Sequence, residues 1–285
     1  MTTTLYGLIT LLRPKQWIKN LFVLSPLIFS GNFSNPEAII DATVAAIFFC
    51  IASSTVYILN DYHDIEKDKQ HPVKSKSRPL AAGLITKQAA IALFITLLSL
   101  LLIGGYHFTP AFPVIFGYLC LNIAYTFYLK HQPVLDIFTI AIGFVLRVYA
   151  GTVALQVEIS SWMLVTTFCI SLFLAAIKRK KELIGSSGSS GRKVLEQYSV
   201  ELIDKYAEMS ATGALVFYSL FVLSARPELT ITIPLVIYGI FRYWFTTEKL
   251  GHGESPTDAL YSDWQLLITI AIWALSCIFL INSIG

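Results

Sequence analysis

Four residues at the end of an apolar run, Asn60, Asp61, Asp64 and Asp68 in NDYHDIEKD, have the types and spacing to grip a hard cation. Asn60, Asp64 and Asp68 recur every fourth residue, so on a continuing helix they share one face, drifting by about 40° per step. Asp61 falls three before Asp64, at the edge of that face. Carboxylates one turn apart repel each other, which makes the row a poor solvated surface. Oxygen donors in this register suit Mg²⁺ shared with the phosphate groups of a substrate. Lys67, Lys69, His71, Lys74, Lys76 and Arg78 follow directly and supply positive charge for the rest of such a phosphate. A charged juxtamembrane loop is the plainer alternative. It accounts for the lysines but not for the fourfold spacing of the acids.

The elements that must carry this row are membrane helices. Of 285 residues, 55% are hydrophobic and only 14% charged, where a soluble domain carries about 25% charged residues. Mean hydropathy is +0.65. The apolar residues fall into blocks of spanning length, which predicts an all-α, polytopic membrane protein. Nine spans are expected, near residues 17–34, 38–59, 87–105, 110–129, 134–154, 161–177, 209–225, 229–246 and 264–283. They would form one integral-membrane domain over residues 1–285, with a central cavity capped by the two long polar loops. Of the 21 Lys and Arg, 19 fall before the first span or in alternate joints. Arg226 is alone on the other side and Arg147 lies inside a span. This bias predicts that the N-terminus and both long loops face the cytoplasm, in the cell's inner membrane. Cations precede the first apolar run, but no small-residue cleavage site follows, so a retained span is expected. Cys50, Cys120, Cys169 and Cys277 lie in apolar blocks without a CxxC pair and read as small hydrophobes. GSSGSSG at 185–191 is a flexible connector by composition, and is equally the composition of an inserted linker. The stretch from Tyr198 to Glu208 reads as the amphipathic start of the next helix.

Other candidates carry less specific signals. Arg147, in GFVLRVYAG, sits more than two turns into a span, where a central Arg costs about 2.5–3.5 kcal/mol. It should face a polar cavity, with an anionic ligand the simplest partner. Asp136 is on nearly the same face but three turns away. Lys178, Arg179, Lys180, Lys181 and Glu182 close the sixth span, where cations also favour the helix dipole and lipid headgroups. Arg13, Lys15, Gln16, Lys19 and Asn20 surround Trp17 just before the first span, a pattern shared with interfacial anchors. Tyr198 and Arg242 stand alone. No GxSxG elbow, Walker loop or zinc motif is present in the sequence, so serine nucleophiles and nucleotide hydrolysis are unsupported.

Taken together, these segments resemble the UbiA superfamily of intramembrane prenyltransferases. RPKQWIKN, NDYHDIEKDKQHPVKSKSRPLAAG, KHQPVLDIF, LRVYAG, KRKKEL and FRYWFTTEKLGHGESPTD are similar, in order and spacing, to its decaprenyl-phosphate phosphoribosyltransferase branch. The likeness runs nearly end to end. It implies transfer of 5-phosphoribose from phosphoribosyl diphosphate to a polyprenyl phosphate, with release of diphosphate, on the way to arabinose donors for cell-envelope glycans. It also implies a Mg²⁺–diphosphate site at Asn60, Asp61, Asp64 and Asp68, with Asp64, Asp68 and Tyr198 catalytic. Substrate binding is expected of Arg13, Lys15, Lys19, Asn60, Lys74, Arg78, Lys130, Arg147, Lys178, Arg179, Glu182 and Arg242, of which Lys74, Arg78, Lys130, Arg147, Lys178 and Arg179 are assigned to the phosphates, and Tyr198 is placed near the ribose by the family's second motif. Aromatic prenyltransferases of the superfamily carry a second acid row after the sixth span; here that loop offers Tyr198, Glu201, Asp204 and Glu208. Asp204 leaves a second metal open.

The alternative enzyme is a prenyltransferase joining a polyprenyl diphosphate to an aromatic or isoprenoid acceptor. A transporter using Arg147 and the acids as an ion path is a third reading, but its site would lie near the midplane rather than at a rim. The partners expected are the two phosphate substrates and the bilayer. A homo-oligomer is compatible with the chain, and nothing calls for nucleic acid.

Overall fold

The structure, a computed structural model, describes residues 2–158, 160–185, 193–249, 259 and 262–284. Most of GSSGSSG, and residues 250–258 of the motif that begins at Phe241, lie outside the described residues. The elements in order are α1 (Thr2–Leu12), a 3₁₀ segment (Pro14–Leu24), α2 (Ser25–Phe29), α3 (Pro36–His63), α4 (Ile65–Gln70), α5 (Lys74–Ser77), α6 (Lys87–Phe108), α7 (Phe112–Phe127), α8 (Leu135–Leu155), α9 (Ser161–Gly185), α10 (Val200–Ala225), α11 (Ile233–Lys249) and α12 (Trp264–Ile284).

Seven helical stretches are long and apolar enough to cross a membrane: α3, α6, α8, α9, α10, Pro227–Glu248 and α12. This makes the chain a multi-pass membrane protein. The expected nine are therefore not all met by helices of spanning length among the described residues. The first expected span divides into the 3₁₀ segment and α2, because Pro26 removes a backbone donor and Lys19, Asn20 and Ser25 interrupt its apolar run. The fourth is α7, whose 16 residues reach only about 24 Å against a hydrocarbon core of about 30 Å. The seventh starts earlier than its apolar run suggests. Ser199 caps α10 by accepting from the Leu202 N–H at 3.1 Å, and the amphipathic stretch becomes its first turns.

Side-chain size decides the packing. The buried seam of α3 is Ala38, Ala42, Ala45, Phe49, Ala52 and Val56, spaced three and four apart, and it meets α6, α7 and α8. Gly151 of α8 lets the 3₁₀ segment lie against that helix, since a Cβ there would overlap the Val23 carbonyl. A second core joins α9, α10 and α11 through Phe173, Ile177, Ile203, Ala207 and Tyr243. Several buried charged residues, among them Asp61, Asp68 and Lys130, collect at the end of the bundle that carries the acid row.

Candidate active site

α3 has 28 residues, or about 42 Å at roughly 1.5 Å per residue, longer than the apolar thickness it crosses. Its last turns therefore carry Asn60 and Asp61 to the rim. The helix is interrupted at Asp64 (φ −95°, ψ 9°), but the fourfold register is kept by the backbone. The Asp64 N–H donates to the Asn60 carbonyl at 3.0 Å and the Asp68 N–H to the Asp64 carbonyl at 2.9 Å.

Each carboxylate of the row meets a cation from a different segment. One Asp61 oxygen takes both Arg13 and Arg78, while its other oxygen is buried without a hydrogen-bond partner. Lys130, only 4% exposed, places Nζ 2.9 and 3.0 Å from the two Asp64 oxygens. Lys74 Nζ lies 3.8 Å from Asp68. Burial pushes the Asp68 carboxyl above its ordinary range, and the Lys74 ammonium offsets part of that rise. The mutual repulsion of the row is thus answered by cations from other segments, near in sequence for Lys74 and distant for Arg13 and Lys130. Among the described residues no three acidic, histidine or cysteine side chains converge on one point. The donor set is nevertheless all oxygen, and the unpartnered Asp61 oxygen is a ready ligand, so the residues fit Mg²⁺.

Beside the row is a cavity of about 200 Å³ whose wall includes Arg13, Lys19, Asn60, Arg78, Arg147 and Lys178 and, among the described residues, no Asp or Glu. Arg147 is buried in its wall. Its Nε donates to Asn20 Oδ1 at 2.9 Å, Nη1 to the Gly143 carbonyl at 2.7 Å and Nη2 to the Tyr118 hydroxyl at 3.0 Å. The rings of Phe49, Tyr118 and Phe144 lie 4.8–5.1 Å from the guanidinium carbon, a cation–π cage that replaces part of the lost hydration. These partners are all neutral, so the positive charge is retained at the cavity. Asn20 is held in turn by Ser53 Oγ, 3.1 Å away. Tyr118, Asn122 and Tyr125 of α7 also line the wall. Sequence reasoning passed over them, although their spacing of four and three marks a polar stripe on an apolar helix.

Asp136 proves to be the partner of Arg179 rather than of Arg147. Arg179 is fully buried, with Nε 2.5 Å from Asp136, Nη2 2.9 Å from the Tyr125 hydroxyl and Nη1 on Glu182. The Tyr198 hydroxyl donates to Asp136 at 2.7 Å and accepts from the Val134 N–H at 2.6 Å. Burial raises the Tyr198 pKa, so the group is a neutral phenol. Tyr198, Arg179 and Glu182 do not line the cavity. Lys15 is exposed, and Arg242 forks onto Asp263 at 2.7–3.2 Å, also away from the cavity wall. Lys180 sits between Asp204 at 2.8 Å and Glu248 at 2.5 Å, so the acid left open for a second metal is engaged by an ammonium.

Fold and site together define a multi-pass helical membrane protein with an oxygen-donor row beside a cationic cavity, an arrangement with the charge to attract polyanions. The chain belongs to the UbiA prenyltransferase family, which it matches over residues 21–251. It is 34% identical over 281 residues to the decaprenyl-phosphate phosphoribosyltransferase of Corynebacterium glutamicum, covering 94% of this chain and 84% of that protein. It is 38% identical over 225 residues to the protein of the same name from Mycolicibacterium smegmatis, covering 76% and 70%. In fold it is similar to a UbiA homolog from Archaeoglobus fulgidus bound to DMAPP and Mg²⁺, with a TM-score of 0.74 at 20% identity, over 97% of this chain and 99% of the other.

Proposed function

We propose that this enzyme transfers 5-phosphoribose from phosphoribosyl diphosphate to a polyprenyl phosphate of decaprenyl type and releases diphosphate, supplying arabinose donors for the cell envelope. The observation that carries the reading is the pairing of the acid row with a cavity whose wall, among the described residues, holds five cations and no carboxylate. Relatives 34% and 38% identical bear the corresponding name. Asn60, Asp61, Asp64 and Asp68 would hold Mg²⁺, which when bound neutralises charge on a leaving diphosphate.

The protein's own groups bind and orient. Asp61 holds the Arg13 and Arg78 forks at the cavity wall, where guanidinium groups match phosphate oxygens. Arg147, with its charge uncompensated by a carboxylate, attracts the anion inward. A phosphate oxygen of the lipid substrate attacks the anomeric carbon, the bond from that carbon to diphosphate breaks, and diphosphate leaves with the electron pair. The nucleophile is already anionic, so no general base is required, in keeping with a neutral Tyr198. Attack opposite the leaving group inverts the anomeric centre. Ile140, Phe144, Leu174 and Ala175 give the same cavity an apolar side for the first prenyl units. The charge bias supports a cytoplasmic, inner-membrane orientation for the row, the cavity mouth and the N-terminus.

Purified protein with Mg²⁺ is to be given phosphoribosyl diphosphate and a polyprenyl phosphate, beside a second mixture of a prenyl diphosphate and 4-hydroxybenzoate. Product is expected in the first only. Turnover confined to the second would replace this reading with that of an aromatic prenyltransferase.

A further inference from the structure

The link between α7 and α8 holds the most strained backbone in the described chain. Val134 has φ 67° and ψ −49°, and the Leu135 N–H donates to the Pro133 carbonyl at 2.7 Å. This is a γ-turn in its rare positive-φ form, and a β-branched residue is among the poorest choices for it. Such a conformation persists only where its surroundings over-determine it. Here they do so through one hydroxyl: Tyr198 accepts from the strained residue's own N–H and donates to Asp136, two residues on.

What lies on either side of the turn gives it a purpose. Four residues before Val134 is Lys130, buried and aimed at Asp64 of the acid row. Two residues after it is Asp136, which anchors Arg179, and Arg179 reaches the cavity-wall residue Tyr125. Tyr198 itself does not line the cavity. Its single proton is committed to Asp136 and so is not available to a substrate.

We propose that Tyr198 is a positioning residue: by pinning the Val134 turn it keeps Lys130 seated on Asp64 and Tyr125 on the cavity wall. The consequence for transfer rests on the reading of the acid row given above, whereas the seating of Lys130 does not.

Amine-reactive labelling, mapped by mass spectrometry, reports that seating without any substrate. In the intact protein Lys130 should be protected. Tyr198→Phe keeps the ring and loses both hydrogen bonds, and Lys130 labelling should rise by about tenfold or more, the equivalent of one lost buried hydrogen bond to a charged partner. Adding Val134→Gly to that variant should return protection to within about threefold, because glycine takes a positive φ without strain. Val134→Gly alone should leave Lys130 protected. Where transfer activity is measurable, kcat should fall in Tyr198→Phe and recover in the double variant. The proposal is overturned if Tyr198→Phe leaves Lys130 protected, if glycine fails to restore protection, or if Lys180, the other lysine buried among the described residues, is exposed to the same extent. Labelling that behaves as expected in a protein without phosphoribosyl transfer would sink the proposed function alone.

Discussion

Replacing Lys130 with methionine tests whether the cations on the acid row stand where a metal charge belongs. The Lys130 ammonium is 2.9 Å from Asp64, with side chains 5% and 19% exposed. Breaking a fully buried pair costs about 3–5 kcal/mol, because the remaining charge is stranded. Asp64 is partly solvated, which screens its charge, so about 2 kcal/mol is expected in metal-free protein. At about 2 °C per kcal/mol for a chain of this size, the apparent Tm should fall by about 4 °C. Mg²⁺ brings back positive charge and no longer competes with the lysine. The variant should therefore recover most of the loss at saturating Mg²⁺ and reach half-saturation at a lower concentration than the parent protein. Thermal unfolding in nanodiscs across a Mg²⁺ titration measures both quantities. A Tm deficit that stays constant at every Mg²⁺ concentration would refute the reasoning, since it would make Lys130 a packing residue with no share in the metal site.

Asp64→Asn and Asp68→Asn should each abolish Mg²⁺-dependent turnover and leave the protein folded in the membrane; full activity in both would remove the metal row from the mechanism. Arg147→Met keeps the side-chain volume and removes a charge worth about 3 kcal/mol to an anion at roughly 5 Å in an effective dielectric of about 20. Direct binding of phosphoribosyl diphosphate should weaken by about 100-fold, with insertion unchanged. Hydrogen bonds from Arg242 hold the Asp263 carboxyl down at about 2, below its ordinary 3.8. Its stabilisation is complete above pH 3.8 and disappears as pH falls towards 2, so the stability gap between the parent and Asp263→Asn should close across that window. A single cysteine replacing the exposed Lys15 should react with an impermeant maleimide only in inside-out vesicles; reaction from the periplasmic side would reverse the proposed orientation.

The acid row was legible in the chain because its signal is local: a period of four, carried by the backbone bonds from Asp64 to Asn60 and from Asp68 to Asp64. The membrane class was legible for the same reason, as long apolar runs need no knowledge of their neighbours. Arg147 could be assigned to a polar cavity from its depth alone, since the cost of a charge in hydrocarbon does not depend on which residues relieve it. The exact set of spans was less readable, because proline and polar residues decide whether an apolar run becomes one helix or several. The partners were not legible at all. Arg13 and Arg78 meet on Asp61, Lys130 reaches Asp64, and Arg179 takes Asp136 instead of leaving it to Arg147. These pairs join residues up to 66 apart, and no residue type prefers one distant acid to another. Only the packing of the helices, set by the fit of small and large side chains, brings each cation to its carboxylate, because Arg13, Arg78 and Lys130 lie in links whose places the joined helices fix, as does Val134 in its positive-φ turn.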